Sequence, residues 1–253
     1  MKNSLCIFIV LSLLYSQSLF EEGIVEYNNR AMDSDGLLAS TKHIDKAISL
    51  FEKHLDDSQS NNEESVIYLL KSYYYKGEYA IKDIELKKEI FDMGKGLAEK
   101  YIPIYPNSAA IRYWYLVNLG SWAEVYGTLK AAREGVADIM KEQSEKIIDL
   151  DPGYKNGGGY FMLGAVHLKS PYIPFLLSWP SKKEAVKYLQ LAVDTKAASF
   201  VQKKYLAHAL YKTGVEEKAI QILNEVINSE PSKNDKVEDL NDINKAKQLL
   251  ETF

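Results

Sequence analysis

Between Phe200 and Lys233 the chain carries a helix–turn–helix unit in which each position has a mechanical reason. Leu206 and Ala207 fall at the close-packing step of a first helix, and Leu210 follows one turn later. Tyr211, Lys212 and Gly214 supply the turn. Ala219, Leu223 and Val226 form the inward stripe of a second helix, and Pro231 is its stop. Small residues stand where two helices touch, larger apolar ones cover the faces between, and proline ends a helix because it lacks an amide donor. Such a pair cannot bury its apolar face alone, so it requires stacked neighbours.

The spacing is that of a tetratricopeptide repeat, and neighbouring copies run upstream. Tyr160, Leu163, Gly164 and His167 occupy a first helix, and Ala185, Leu189 and Ala192 its second, with an insertion over Ser170 to Pro180. A third copy has Leu116, then Met140, Ser144, Ile147 and the stop Leu150-Asp151-Pro152, with an insertion around Gly120 to Arg133. A fourth has Leu70, Tyr73, Tyr74 and Gly77, then Gly94, Ala98, Tyr101 and Pro106, again with an insertion between its two helices. A fifth pairs a helix over Gly23 to Met32 with one from Asp45 through Phe51 and Leu55, joined by Asp33-Ser34-Asp35-Gly36. A last helix near Val237 to Phe253 places Ile243, Ala246, Leu249, Leu250 and Phe253 on one capping stripe. The expected fold is therefore all-α: a tetratricopeptide-like array of about 10–11 helices with inter-helix insertions and an internal cavity or groove. Residues 19–253 form its single domain. The three insertions fall between first and second helices, so they should gather on one edge of the stack as a rim or lid.

At the N-terminus Lys2 precedes the apolar run Leu5 to Tyr15 and the small-x-small site Ser16-Gln17-Ser18, the pattern of a signal peptide over residues 1–18. The run is short of the ~20 residues a permanent membrane span needs. Cys6 is the chain's one cysteine and lies inside the run, without a lipobox. A mature chain starting near Leu19 or Phe20 would have no disulfide, thiol nucleophile or lipid-bearing cysteine. The expected location is periplasmic or secreted, with membrane association left open. With 46% hydrophobic and 26% charged residues and a net charge of -4, the composition is that of a globular domain without a phosphate-binding surface, so no nucleic-acid partner is expected.

Several of these features together resemble the T component of TRAP (tripartite ATP-independent periplasmic) transporter systems, the TatT-like family. They are the leader, Tyr113-Trp114 with Asn118-Leu119-Gly120, the Leu150-Asp151-Pro152 stop, Gly157-Gly158-Gly159 with Leu163-Gly164, and Ser170-Pro171-Tyr172-Ile173-Pro174-Phe175. The similarity runs from about Asp45 to Pro231. It implies a periplasmic, non-catalytic homotrimer with a cavity or pore that binds a substrate-binding P component and helps deliver a hydrophobic small molecule. Two features depart from the family pattern. No cysteine follows the leader, and Ser178-Trp179-Pro180-Ser181-Lys182-Lys183 stands where a Gly-Asp turn is usual.

Chemistry is sparse. His43, His54, His167 and His208 lie outside any His-Glu-x-x-His or close histidine pair, so neither metal nor cofactor is expected. His167 is either a packed imidazole with one hydrogen bond or a polar group facing a cavity. Asp33-Ser34-Asp35-Gly36 lacks the later ligands of a calcium loop and is expected to be a turn. Asn156-Gly157-Gly158-Gly159 lacks the Gly-Lys-Ser/Thr of a phosphate loop and suits close helix approach. No nucleophile elbow brings serine, histidine and aspartate together.

Aromatic residues are the richer material. Tyr113, Trp114 and Tyr115 are consecutive and point about 100° apart on a helix, so they cannot all enter one core face. Trp114, Asn118, Trp122, Tyr126, Tyr160, His167, Tyr172, Phe175 and Trp179 are the candidate lining or rim of a ligand cavity. Within Ser170 to Pro180, Pro171, Pro174 and Pro180 predict an ordered irregular loop, whose Ile173, Phe175, Leu176, Leu177 and Trp179 are expected to be buried against something. Three functions compete: a ligand conduit, a tetratricopeptide scaffold for protein assembly in the cell envelope, and a hydrolase with a dispersed site. A closed apolar cavity favours the first, an open charged groove the second, and a Ser–His pair inside a cavity the third.

Overall fold

The structure is a computed structural model that describes residues 17–56, 63–173, 175, 177–195 and 197–253. Most of the expected leader, with Cys6, lies outside the described residues, as do Pro174 and Leu176 of the long insertion.

Helices account for the architecture. α1 (17–28) is followed by α2 (Thr41–Asp56), α3 (Glu63–Tyr75) with a π-helical turn at Lys76–Ala80, α4 (Ile84–Tyr101) and α5 (Ala109–Tyr126). Then come α6 (Thr128–Arg133), α7 (Val136–Leu150), α8 (Gly158–Lys169), α9 (Lys182–Val193), α10 (Phe200–Lys212), α11 (Glu216–Ile227) and α12 (Lys236–Leu250). Among the described residues β-pairing is limited to two isolated bridges, Asp35 with Leu38 and Ile173 with Leu177.

Local chemistry starts several of these helices. Asp83 accepts from the amides of Glu85 and Leu86, and Ser108 and Ser181 each accept from the third amide on. Ser199 and Gln202 form a reciprocal capping box at the head of α10. Each cap satisfies donors that the first turn leaves without an internal partner.

The expected repeat registers are observed. In the C-terminal repeat Leu206, Ala207, Leu210, Ala219, Leu223 and Val226 are all buried. One main core runs from Val66 to Ala246, and a second, N-terminal cluster joins Tyr27, Phe51, Tyr73, Tyr75 and Tyr79. Fully burying each large apolar side chain contributes about 1.5–3 kcal/mol, so the array is held by many repeats of one modest term. Gly158 and Gly159 serve close approach: a methyl group on Gly158 would stand 2.6 Å from the Tyr113 ring, and one on Gly159 2.8 Å from Ile148.

Two of the insertions are helical. The one in the third repeat lengthens α5 and adds α6, and the one in the fourth contributes the π-helical turn and the first turns of α4. They meet on one edge. Trp122 Nε1 donates to Asp92 Oδ1 at 2.6 Å and Tyr126 Oη to Asp92 Oδ2 at 2.5 Å, while Lys130 Nζ stands 3.5 Å from the Tyr126 ring centroid. The third insertion joins the same edge through Trp179 Nε1, which donates to Asp138 at 2.7 Å.

The third insertion is irregular and divides its apolar residues. Mutual backbone hydrogen bonds of 2.9 and 2.8 Å between Ile173 and Leu177 close the loop, and Leu177 is buried. Phe175 is instead wholly exposed at 105%, at a positive φ of 66°, and Tyr172 is 63% exposed. The bridge turns Phe175 away from the array, so among the described residues the loop's apolar side chains are divided between the array and solvent.

Candidate functional site

First helices define the inner side of the stack. α3 packs on α5, α5 on α8 and α8 on α10, whereas the second helices α2, α4, α7, α9 and α11 make no comparable contacts with one another among the described residues. The first helices thus follow the tighter curve, as in a solenoid with one concave face.

α12 lies on this concave side and touches both ends of the array. It packs on α10 and α11, and its Asp242 accepts from Lys204 Nζ of α10 at 2.5 Å. Across the groove Arg30, just beyond α1, reaches Glu238 at 2.7 Å and Asp235 at 2.6 Å and donates to the carbonyl of Asn234. Asn241 donates to the Leu37 carbonyl at 2.9 Å, and Lys245 pairs with Glu78 at 2.5 Å. Val237 is fully buried in the N-terminal cluster. The two ends of the chain are therefore bridged mainly by charge.

Beside this bridge is a recess of about 350 Å³ lined by Lys155, Asn156, Ser199, Gln202, Asp235 and Asp239 together with Tyr113, Ala197, Ala198 and Phe200. Lys71 lies nearby on α3, its Nζ 4.0 Å from the Tyr68 ring centroid and 4.5 Å from that of Tyr27. Burial, with repulsion from Lys155 and Arg30, pushes the Lys71 ammonium down to about 8. Among the described residues neither Lys71 nor Lys155 has a carboxylate within ion-pair distance. A second recess, of about 460 Å³, lies between Leu37, Leu38, Glu78, Tyr79, Ile81, Lys82 and Lys87 and is broadly open to solvent.

Neither recess is lined by any of the nine residues proposed from sequence. Those nine fall into separate groups. Trp114 and Asn118 are packed inside the array, and Asn118 Nδ2 donates to the carbonyls of Leu70 at 3.0 Å and Trp114 at 2.8 Å. Trp122 and Tyr126 join the insertion edge through Asp92. His167 is buried between Trp179 and Tyr188, with ring centroids 5.0 and 5.8 Å away, and accepts from the Ser181 amide at Nδ1. Burial lowers its pKa, and Lys141, Lys187 and Lys182 add to the effect. Tyr160 is half-buried on α8, and Tyr172 and Phe175 face solvent.

The charged inner face was missed from sequence. The available signal was the acidic run Asp235, Glu238, Asp239 and Asp242 on a terminal helix, set against isolated cations on first helices. A Ser–His pair does occur, Ser65 Oγ lying 2.7 Å from His54 Nδ1. Both residues are buried, with the Phe20 ring 5.3 Å from the imidazole, and neither lines a recess.

The family model described as regulator of microtubule dynamics protein 1-3 matches residues 33–169, more than half of the chain. The chain belongs to this family. The matched region of this regulator of microtubule dynamics protein family spans α2 to α8, including the two helical insertions but neither the third insertion nor α12. In fold the chain is similar to the crystal structure of a thermophilic TPR protein in Thermus thermophilus, with a TM-score of 0.58 and 12% identity over 94% of this chain and 97% of that one. That likeness establishes a tetratricopeptide-type helical array. No curated protein matches the chain.

Proposed function

We propose that the chain is a non-catalytic helical-repeat scaffold that recruits a protein segment to its inner face. The polar recess beside α12 carries this reading: Lys155, Asn156, Gln202, Asp235 and Asp239 suit the peptide groups and charges of a bound segment, and they do not suit an apolar small molecule. The family description names the regulation of microtubule dynamics, which a protein-recruiting scaffold can serve.

The finer alternative is a periplasmic conduit component of a TRAP-type system, a homotrimer working with a P component on a hydrophobic small molecule. Outward-facing Tyr172 and Phe175 favour it, because a sister subunit or partner could cover them. Export with cleavage near Leu19 belongs to both readings. Leu19 is buried and the Phe20 ring lies 5.7 Å from Phe51, so such a cut would leave the residues that hold α1 in place.

Native mass spectrometry of the exported, full mature chain separates the two. The scaffold reading expects a protein mass without a retained apolar molecule. A trimer carrying a lipid-like ligand would overturn it in favour of the conduit.

A further inference from the structure

The contacts of α12 form a pattern. Asp235, Glu238 and Asp242 are spaced i, i+3 and i+7, which puts three carboxylates on one helical face. That face meets Arg30 and Lys204, whose side chains are 6% and 10% exposed, while Asp235 remains 59% exposed at its outer end. A terminal helix serving only as a lid would seal the stack with an apolar stripe. Here Ile243 and Ala246 seal α12 on its own repeat, and among the described residues it meets the N-terminal repeats through Val237, ion pairs and an amide-to-carbonyl hydrogen bond. Predominantly polar interfaces of this kind are the exchangeable ones. Two further cations of the wall, Lys71 and Lys155, stand beside the recess without a carboxylate within ion-pair distance among the described residues. Their ammonium groups lie by the aromatic faces of Tyr68, Tyr27 and Trp114, of which Tyr27 and Trp114 are buried and Tyr68 is half-buried.

We infer that the inner groove is a docking site for an acidic amphipathic helix of a partner protein, and that α12 occupies it in cis as an internal competitor. This rests on the scaffold reading and names its ligand class and its regulation. The partner helix carries carboxylates at i, i+3 and i+7 and a small apolar residue next to the first of them, as Val237 lies near Asp235. It takes the Arg30 and Lys204 contacts from α12 and gains Lys71 and Lys155, which α12 leaves unpaired. Displacement, not an empty pocket, is then the binding event, and partner affinity is reduced by the fraction of time α12 is docked.

The test uses the full chain and a fluorescent peptide with the sequence of residues 232–250, titrated by anisotropy. Glu238→Arg repels Arg30 and loosens α12 while leaving the groove cations intact. Glu238→Gln serves the same purpose if the reversal impairs folding. The variant is expected to bind the peptide at least tenfold more tightly than wild type, with faster hydrogen exchange along α12. The gain should vanish for a peptide whose three carboxylates are replaced by amides, and on adding Lys204→Glu, which removes the cation that Asp242 meets. Unchanged exchange along α12, binding no tighter than wild type, or equal binding of the amide peptide would each overturn the inference. The scaffold reading fails separately, on a retained apolar ligand in the mass spectrum. A negative peptide titration without such a ligand leaves the scaffold in place and removes only the acidic helix.

Discussion

Replacing Gly94 and Asn118 singly and together tests whether Asn118 is a core tie or a ligand contact. Asn118 is fully buried on α5, and its amide links α5 to α3 through the Leu70 carbonyl. A methyl group on Gly94 of α4 would lie 2.3 Å from its Oδ1 and 2.6 Å from Cγ, well inside contact distance. Asn118 cannot withdraw without breaking two hydrogen bonds, so the clash in Gly94→Ala should cost near the upper end of overpacking, about 3 kcal/mol. Better helix propensity returns roughly 1 kcal/mol, leaving a net loss of about 2 kcal/mol. Asn118→Ala forfeits two hydrogen bonds of about 1 kcal/mol each, partly offset because Oδ1 has no partner among the described residues; its net cost is roughly 1–2 kcal/mol. In the double variant the new methyl group occupies the vacated space. Its loss should be no larger than that of Asn118→Ala alone, a coupling of about 2 kcal/mol or more. Urea unfolding of the four proteins reads this directly. Additive losses, within about 0.5 kcal/mol, would refute the packing argument.

At the loop tip, Phe175→Gly removes a wholly exposed ring and a positive-φ strain of about 1–2 kcal/mol, so stability should hold or rise; a clear fall in melting temperature would show that the ring is packed. Leu177→Asp two residues on should destabilise by about 2 kcal/mol or more in the same assay, because it buries a charge in place of an apolar contact. His208 titrates low, at about 4, because burial disfavours its charged form and Lys169, Lys212 and Lys182 add repulsion. Between pH 6.5 and about 4 the unfolded chain then binds a proton that the folded chain does not, so stability is full above that window and falls as pH drops through it. His208→Gln should flatten that part of a chemical-denaturation profile, and an unchanged slope would contradict it. N-terminal sequencing of exported protein should begin near Leu19, and recovery of the intact leader would reject the cleavage site.

Periodicity alone determined the helical class and the repeat registers, because each repeat is a local unit whose buried positions recur at helical spacing. Leu206, Ala207, Ala219 and Leu223 are buried for reasons visible within one unit. The one-edge insertions were legible too, since all three interrupt the same step of the repeat. Tertiary structure decided the rest. Trp114, Trp122 and Phe175 are equally aromatic in sequence, yet the first is packed in the array, the second is hydrogen-bonded to Asp92 across the insertion edge, and the third faces solvent. Which of these an aromatic becomes depends on neighbours far along the chain. The same holds for Arg30 and Glu238, which are 208 residues apart and meet because the curvature of the stack, summed over its repeats, brings α12 back to the end of α1. No local pattern encodes that sum, so the charged inner face emerged only once the array was closed.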